Sequence, residues 1–243
     1  MSNAVYVTGT DTGAGKTLAS CALLHASRAR GLRVAAMKAV AAGTEPDQQG
    51  HARNADVEAL LAACGGGLPR QLVNPYCLPD PAAPEIAATR AGIAIRLEPI
   101  LAALDSLAAG CDLLVVEGVG GWEAPLSASM LQADLCRARA LPVLLVVGLR
   151  LGCINHARLT VRAIAADGLE CVGWIASHVD PRFTDAADNI AILARDLRPP
   201  LLGVLPHAAA PDPARLASLI DLRPLLPPAW DASLQGRPPA DAL

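Results

Sequence analysis

The chain has 243 residues and a formal net charge of −3; 53 % of its residues are apolar but only 2 % are aromatic. This length suits one large α/β domain, so we expect residues 1–243 to form a single domain with a core of Ala, Val, Leu and Ile. A weakly acidic chain without a basic run argues against nucleic acid as a partner, and the longest apolar stretch of strand character, residues 141–149, is too short to cross a bilayer.

The seven cysteines show no C-x-x-C spacing, and the N-terminus lacks a basic segment followed by an apolar one. The first pattern is typical of reduced, mostly buried thiols, and the second gives no sign of a signal peptide. We therefore expect a cytoplasmic protein with no membrane partner.

The first predicted elements are a buried strand, a glycine-rich loop and the start of a helix, within residues 5–17. The loop ends in Gly-Lys-Thr as a P-loop does, but five residues rather than four separate Gly9 from Gly15. Successive backbone N–H groups and the N-terminus of the following helix can still hold an anionic phosphate. Lys16 can reach the terminal phosphates, and the Thr17 hydroxyl can ligate a phosphate-bound Mg²⁺. The pattern indicates nucleotide binding; the competing interpretation is a glycine-rich turn that binds nothing.

Strands and helices alternate along the rest of the chain. The predicted elements are a helix over 18–30, a strand over 32–38, a polar loop over 39–53, a helix over 54–63 capped by Asn54, a rigid proline-containing loop over 73–84, helices over 85–90 and 97–109, strands over 111–117 and 142–148, a helix over 151–166, a strand over 171–177, a helix over 189–197, a strand over 201–205, a short helix over 214–219 and a proline-rich tail over 224–243. This alternation predicts an α/β fold, a doubly wound and mostly parallel sheet of about six or seven strands with helices on both faces, similar to that of P-loop NTPases.

Lysine usage singles out one further residue. The chain has 20 lysines and arginines together, of which only Lys16 and Lys38 are lysines, so the other 18 are arginines. Lysine and arginine are not interchangeable where a compact ammonium group must enter a tight phosphate site. Lys38 ends a predicted strand, and ligands of open α/β sheets bind outside the carboxyl ends of the strands. Lys38 is therefore a candidate active-site residue, with chance survival of the lysine as the alternative.

Two carboxylates are placed to meet a metal ion bound at the P-loop. Glu117 closes an apolar strand and is followed by glycines, which is the position of a Walker-B-like carboxylate. Asp56 lies in the first turn of a predicted helix, where it could equally stabilise the helix dipole. Glu117 is therefore the stronger candidate of the two.

Five sequence blocks resemble the dethiobiotin synthetase family, in the family's order, and they cover residues 4 to about 210. The blocks are residues 9–17, Lys38 with the small residues after it, Asn74-Pro75-Tyr76, Val116-Glu117-Gly118-Val119-Gly120-Gly121-Trp122 and Leu151-Gly152-Cys153-Ile154-Asn155-His156-Ala157. A P-loop alone would leave many families open, whereas this combination is highly specific.

The resemblance implies a cyclo-ligase of biotin biosynthesis that uses ATP and Mg²⁺. It would convert 7,8-diaminononanoate and CO2 to dethiobiotin, with release of ADP and phosphate. One amine captures CO2 as a carbamate, the carbamate attacks the γ-phosphate, and the second amine closes the cyclic urea. The resemblance also implies a homodimer in which the carboxylate tail of the substrate is held by the other subunit.

The same resemblance assigns roles to residues of this chain. Lys16 and Lys38 would be catalytic, and Thr17, Asp56 and Glu117 would ligate Mg²⁺. The residues that would bind the nucleotide are Thr12, Gly13, Ala14, Gly15, Lys16, Thr17, Leu18, Asp56, Glu117, Gly118, Val119, Gly120, Ser177, His178, Pro206, His207 and Ala208. The residues that would bind the substrate are Ala42, Gly152, Cys153, Ile154 and Asn155. The last four open a predicted helix, whose N-terminal amides suit an anion.

Three positions depart from the family's pattern. Ala42 stands where a Ser or Thr hydroxyl would meet the substrate, so a lower substrate affinity is expected. Gly13 replaces a common glutamate of the loop. Ser177 replaces an asparagine that binds the base, and a serine discriminates less between bases, so nucleotide selectivity stays open.

Two other classes share parts of this pattern. Related P-loop amidoligases such as the cobyrinate amidases usually carry a glutaminase domain with a Cys/His pair, which we do not expect in a chain of 243 residues. ATP-switch regulators that partition cell components carry a second lysine near the start of the loop, and residues 9–14 contain none. ATP turnover that depends on a diamine would separate the enzyme from the switch.

Overall fold

The computed structural model of the protein describes residues 3–225. Its helices are α1 (Lys16–Arg28), α2 (Ala55–Ala63), α3 (Arg70–Val73), α4 (Pro84–Ala91), α5 (Leu97–Ala109), α6 (Gln132–Arg139), α7 (Cys153–Ala166), α8 (Ala186–Asp196) and α9 (Pro213–Leu216), followed by 3₁₀ turns at Ala217–Leu219 and Arg223–Leu225. Its strands are β1 (Ala4–Gly9), β2 (Val34–Lys38), β3 (Val40–Ala42), β4 (Glu45–Pro46), β5 (Ala52–Arg53), β6 (Tyr76–Leu78), β7 (Leu113–Glu117), β8 (Pro125–Ser127), β9 (Met130–Leu131), β10 (Val143–Gly148), β11 (Cys171–Ser177) and β12 (Leu201–Leu205).

Six of these strands form one parallel sheet in the order β12-β11-β10-β1-β7-β2. The chain enters at β1, builds one half of the sheet through β2 and β7, and then returns to build the other half through β10, β11 and β12. The predicted doubly wound parallel sheet is therefore confirmed. The strand order reverses beside β1, and in such sheets the ligand crevice lies outside the carboxyl ends of the strands at the point of reversal.

Helices cover both faces of the sheet because successive side chains of a strand point to opposite sides. In β1, Val5 and Val7 join an apolar cluster with Leu23 of α1. Tyr6, between them, joins a second cluster with Leu104 of α5. Strands buried on both faces carry nearly continuous apolar runs, which is why the predicted sheet strands were recognisable in the sequence.

Several elements were not predicted. The expected polar loop over 39–53 contains β3, which pairs in parallel with β6 from the expected rigid loop over 73–84. Val40 and Ala41 are buried, so the chain continues after Lys38 as a second short strand rather than as a loop. No element was predicted between residues 122 and 141, where β8 pairs antiparallel with β9 and leads into α6.

The end of the described chain also differs from the expectation. The first residues of the predicted tail, at 224–225, belong to the 3₁₀ turn Arg223–Leu225, and residues 226–243 lie outside the described residues. Within residues 3–225, no helix combines the length and the apolar character needed to span a bilayer.

Candidate active site

The carboxyl ends of three neighbouring strands meet at one place on the sheet. β7 lies between β1 and β2, and its last residue, Glu117, stands in register with Val7 on one side and with Lys38 on the other. The P-loop leaves β1 two residues after Val7. Parallel pairing therefore brings Lys38 and Glu117 beside the loop, although they are 79 residues apart in the sequence.

Backbone oxygens of the P-loop and of the loop after β7 hold the P-loop lysine. Gly15, at the N-cap of α1, has φ of 91°, and a Cβ there would lie 2.4 Å from the Ser177 hydroxyl oxygen, so only glycine fits. The Lys16 ammonium donates to the carbonyl of Asp11 at 3.0 Å and to that of Gly120 at 2.7 Å. Burial, and then the charge of Lys38, lowers the pKa of Lys16 to about 8, although neighbouring carboxylates oppose this.

Lys38 lies at the centre of a compact polar cluster. Its ammonium donates to Glu117 Oε1 at 2.6 Å, to Asp56 Oδ2 at 2.8 Å and to the Gly118 carbonyl at 3.2 Å. These three acceptors use all three donors of the lysine. The Thr17 hydroxyl lies 2.8 Å from Asp56 Oδ1 and 2.9 Å from Glu117 Oε1, so it joins the same two carboxylates from the P-loop side.

The charges in this cluster stabilise one another. Burial alone would lower the pKa of Lys38, whose side chain is only 4 % exposed, but Glu117 and Asp56 outweigh burial and raise that pKa. Burial would likewise raise the pKa of Asp56, but Lys38 and the Thr17 hydroxyl hold it below its usual value. The lysine therefore stays protonated and Asp56 ionised around neutral pH.

Asp56 is placed by the residue that caps its helix. The Asn54 side chain accepts from the backbone N–H groups of Asp56 at 3.1 Å and Val57 at 3.3 Å. Its amide nitrogen donates to the carbonyls of Gly43 at 2.7 Å and Ala42 at 3.3 Å. The predicted N-cap is confirmed, and it ties the start of α2 to the segment that follows Lys38.

Two contacts at the site had no signal in the local sequence pattern. Asn74, quoted above only as part of a family block, is buried and donates to the Lys38 carbonyl at 2.6 Å and to the Tyr76 carbonyl at 3.0 Å. Arg150, just before α7, pairs with the Asp11 carboxylate and donates to the Thr12 carbonyl at 3.3 Å. Both contacts join segments that are far apart in sequence, so spacing could not reveal them.

A cavity of about 1200 Å³ opens over these groups. Its lining includes eleven residues expected at the catalytic, nucleotide, metal and substrate positions, namely Thr12, Gly13, Gly15, Lys16, Thr17, Leu18, Lys38, Ala42, Asp56, Val119 and Gly120. Ala14, Glu117 and Gly118 do not line it; Ala14 and Glu117 are buried behind its wall. The size suits a nucleotide with a small substrate beside it.

The residues expected around the base lie together but outside the lining of this cavity. Ser177 ends β11 and is paired in register with Leu205, the last residue of β12. The backbone N–H of His178 donates to the Leu205 carbonyl at 2.9 Å, and exposed Pro206, His207 and Ala208 follow. Of this set, Ser177 touches the P-loop, through its close approach to Gly15.

The residues expected at the substrate tail open a different cavity. Gly152, Ile154 and Asn155 line a pocket of about 470 Å³ together with Arg158, Leu159 and Arg162 of α7. Cys153 is not part of this lining, because it is buried and its thiol lies 3.4 Å from the Asn189 side-chain oxygen. Leu159 lines both cavities, so the two adjoin along α7.

Comparison with known proteins gives one consistent result. A family model described as an AAA domain matches residues 3–215. The protein named ATP-dependent dethiobiotin synthetase BioD of Xanthomonas euvesicatoria pv. vesicatoria is 54 % identical over 219 residues, which cover 90 % of this chain and 97 % of that protein. The protein of the same name from Xanthomonas oryzae pv. oryzae is 57 % identical over 203 residues, covering 84 % and 90 %. The crystal structure of a ParA family ATPase from Chlorobium tepidum matches with a TM-score of 0.50 at 15 % identity, covering 86 % of each chain, and shows the fold alone.

Proposed function

This chain belongs to the ATP-dependent dethiobiotin synthetase family, and from that premise we propose that it closes the ureido ring of dethiobiotin at the P-loop cavity. It is an ATP-dependent cyclo-ligase of biotin biosynthesis that joins 7,8-diaminononanoate and CO2. We retain the expected cytoplasmic location as part of this proposal.

The observation that carries the proposal is the placement of two ammonium groups at one P-loop cavity. The reaction brings together two anions, the carbamate and the γ-phosphate, and that approach requires cations between them. Lys16 and Lys38 both line the cavity; Lys16 is the first residue of α1 and Lys38 is the last residue of β2. Lys16 suits the terminal phosphates and Lys38 suits the junction of carbamate and phosphate.

The residues present fit a Mg²⁺ ion. Glu117 Oε2 is buried and has no hydrogen-bond partner among the described residues, although it is a carboxylate oxygen. Thr17 and Asp56 supply further oxygen donors at the same point. Residues 3–225 contain no group of three or more His, Cys, Asp and Glu side chains that could hold a metal. Mg²⁺ does not need such a group, because it usually binds through one or two carboxylates together with substrate phosphates. When bound there, the ion neutralises charge on the phosphate oxygens.

The reaction then proceeds in three steps around these residues. One amine of the substrate adds to CO2 and loses a proton, giving the carbamate. A carbamate oxygen attacks the γ-phosphorus and ADP leaves, while Lys16 holds the phosphates and Lys38 stays beside the oxygen that bridges carbon and phosphorus. The second amine attacks the carbonyl carbon of the resulting carbamic–phosphoric anhydride and passes a proton to the departing phosphate, and the five-membered cyclic urea is complete. Enclosure in the cavity keeps the reactive anhydride beside the amine rather than in bulk water.

We place the carboxylate tail of the substrate at the pocket of Gly152, Ile154 and Asn155 on a neighbouring subunit. The N-terminal N–H groups of α7 and the positive charges of Arg158 and Arg162 suit a carboxylate. A homodimer also provides cover for Leu151, of which 91 % is exposed. Cys153 contributes through its backbone, since its thiol is turned into the protein.

We assign the base of the nucleotide to the ends of β11 and β12. Ser177 and His178 stand beside Pro206, His207 and Ala208 there, next to Gly15 of the P-loop. A serine offers one hydroxyl to the base, so we expect weak discrimination between nucleotides.

Isothermal titration of 7,8-diaminononanoate into the protein tests the proposal, with and without a non-hydrolysable ATP analogue and Mg²⁺. The proposal requires saturable binding with one diamine per chain in the presence of the nucleotide. The absence of binding under both conditions would rule the assignment out.

A further inference from the structure

The side-chain amide of Gln132 is buried against the loop that follows β7. Its Oε1 accepts from the backbone N–H of Val119 at 2.6 Å and from the Tyr6 hydroxyl at 2.6 Å. Its Nε2 donates to the carbonyls of Val119 and of Gly121, the latter at 2.7 Å. A glutamine amide has two donors and two acceptor lone pairs, so every one of them is used here. Gln132 is 2 % exposed and Tyr6 is 1 % exposed, which shields these bonds from water.

The carbonyl groups of this loop alternate between two kinds of partner. Those of Val119 and Gly121 accept from the Gln132 amide. Those of Gly118 and Gly120 accept from the two lysines, Gly118 from Lys38 and Gly120 from Lys16. The Gln132 amide therefore holds the carbonyls of Val119 and Gly121. This arrangement leaves the carbonyls of Gly118 and Gly120 turned toward the two ammonium groups.

Packing leaves this loop little freedom to shift. A Cβ on Gly118 would lie 2.5 Å from the Tyr6 hydroxyl and 2.6 Å from Gln132 Oε1, so the backbone rests directly on the pair. At the other end of the loop, the Trp122 ring meets the Tyr6 ring edge to face at 6.1 Å, and its Nε1 donates to Asp167 at 2.8 Å. The loop is thus fixed at its start, in its middle and at its end.

We propose that Gln132 is a positioning residue for the two active-site lysines, and that the Tyr6 hydroxyl fixes the orientation of its amide. Through the carbonyls of Gly118 and Gly120, Gln132 sets where the ammonium groups of Lys38 and Lys16 stand relative to the reacting phosphate. The kinetic consequence rests on the proposed function, whereas the contacts with the loop do not.

Two measurements on the full chain separate the two claims. Hydrogen–deuterium exchange of the substrate-free protein reports the N–H of Val119, which Gln132 protects directly. In the Gln132→Met variant, which keeps the side-chain length without the amide, exchange over residues 118–121 should be faster by about tenfold or more. Steady-state turnover of MgATP with 7,8-diaminononanoate and CO2 reports the lysines. There kcat should fall about 10- to 100-fold, because misplacement by a fraction of an ångström weakens alignment in the transition state.

The split between kcat and KM distinguishes positioning from loss of structure. The P-loop amides do not touch Gln132, whereas Lys16 and the loop over residues 118–121 depend on it, so the KM for ATP should rise by no more than about threefold, less than kcat falls. Ser27→Ala is the matched control, since Ser27 is fully buried and bonds to the Leu23 carbonyl far from the cavity. That variant should keep the kcat and the exchange of the 118–121 segment.

The outcomes are separable from those of the proposed function. A parent protein without diamine-dependent turnover would contradict the proposed function, while the exchange measurement would still test the contacts of Gln132 with the loop. Parent-like exchange at 118–121, or a parent-like kcat in Gln132→Met, would overturn the positioning role. If Gln132→Met does not fold, the Tyr6→Phe variant provides the test, because it removes the hydroxyl that donates to Gln132 Oε1. Faster exchange at 118–121 and a kcat lowered about threefold or more would support the positioning role. Parent values for both would overturn it.

Discussion

Lys38 and Glu117 end neighbouring parallel strands in register, and Lys38 Nζ lies 2.6 Å from Glu117 Oε1. Both side chains are buried, at 4 % and 0 % exposure. A buried ion pair contributes little net stability compared with apolar residues of the same size, but removal of one partner leaves an uncompensated charge. This agrees with the proposed site, in which a substrate and Mg²⁺ would complete the charges around the pair.

The Glu117→Gln substitution removes one anionic oxygen from the proposed Mg²⁺ site and keeps the shape of the side chain. Turnover should fall about 100-fold or more, while ADP binding measured without Mg²⁺ persists through the P-loop amides. Steady-state kinetics and isothermal titration check the two halves of this expectation. Glu98→Gln on the exposed face of α5 is the matched control and should be silent. Near-parent turnover of Glu117→Gln would remove Glu117 from the site.

The Lys38→Arg substitution keeps the charge but changes its shape. Three acceptors surround a compact ammonium group at 2.6, 2.8 and 3.2 Å, and a planar guanidinium is too wide to occupy the same point. Activity should fall about 100-fold, with ADP affinity nearly unchanged because Lys16 and the loop amides hold the β-phosphate. Arg30→Lys, at an exposed position after α1, is the reciprocal control and should have no effect. An active Lys38→Arg enzyme would mean that the rarity of lysine in this chain carries no functional information.

The Asn54→Ala substitution tests how Asp56 is held. It removes the cap of α2 and the two bonds to the Ala42 and Gly43 carbonyls, so the free energy of unfolding should fall by about 1–2 kcal/mol. Because Asp56 lies in the freed turn, kcat should fall as well. Chemical denaturation and kinetics measure both effects. Asp212→Ala is the control: Asp212 caps the exposed four-residue helix α9, so its loss should lower the free energy of unfolding by about 0.5–1 kcal/mol and leave kcat intact. Unchanged stability and kcat in Asn54→Ala would show that the cap does not place Asp56.

The Asn155→Ala substitution tests the proposed tail site. Asn155 is exposed at the start of α7, so its removal should leave the fold intact. Loss of a hydrogen bond to a charged carboxylate should raise the KM for 7,8-diaminononanoate about tenfold and leave that for ATP unchanged. Gln71→Ala, an exposed amide on α3, serves as control. Full activity of a verified monomer, or equal changes in both KM values, would contradict the placement of the tail on a neighbouring subunit.

The sequence predicted the parts of this site that lie at the ends of apolar strands. Lys38 and Glu117 each close a continuous apolar run, and parallel strands bring their carboxyl ends together, so their proximity followed from local pattern alone. The cap formed by Asn54 was predictable for the same reason, because it acts within its own helix.

The rest of the site depends on contacts between distant segments. Gln132 lies 126 residues from Tyr6, in a stretch for which no element was predicted. Nothing in its neighbourhood distinguishes a glutamine that binds a loop from one on the surface of a helix. Likewise, Arg150 reaches Asp11 across 139 residues, and Asn74 reaches Lys38 across 36. Such pairs are set by the strand order and by the packing of the loops over the sheet, which periodicity does not encode.

Transfer of labelled CO2 tests the central claim most directly. The purified protein is given 7,8-diaminononanoate, MgATP and ¹⁴C-bicarbonate, and acid-stable label and ADP are counted in the same samples. Free carbamates lose CO2 in acid, whereas a cyclic urea does not. The account predicts acid-stable label that depends on the diamine, with one ADP formed for each labelled product and no stable label from 8-aminononanoate, which has a single amine. ATP hydrolysis that is independent of the diamine, with no acid-stable label, would contradict it.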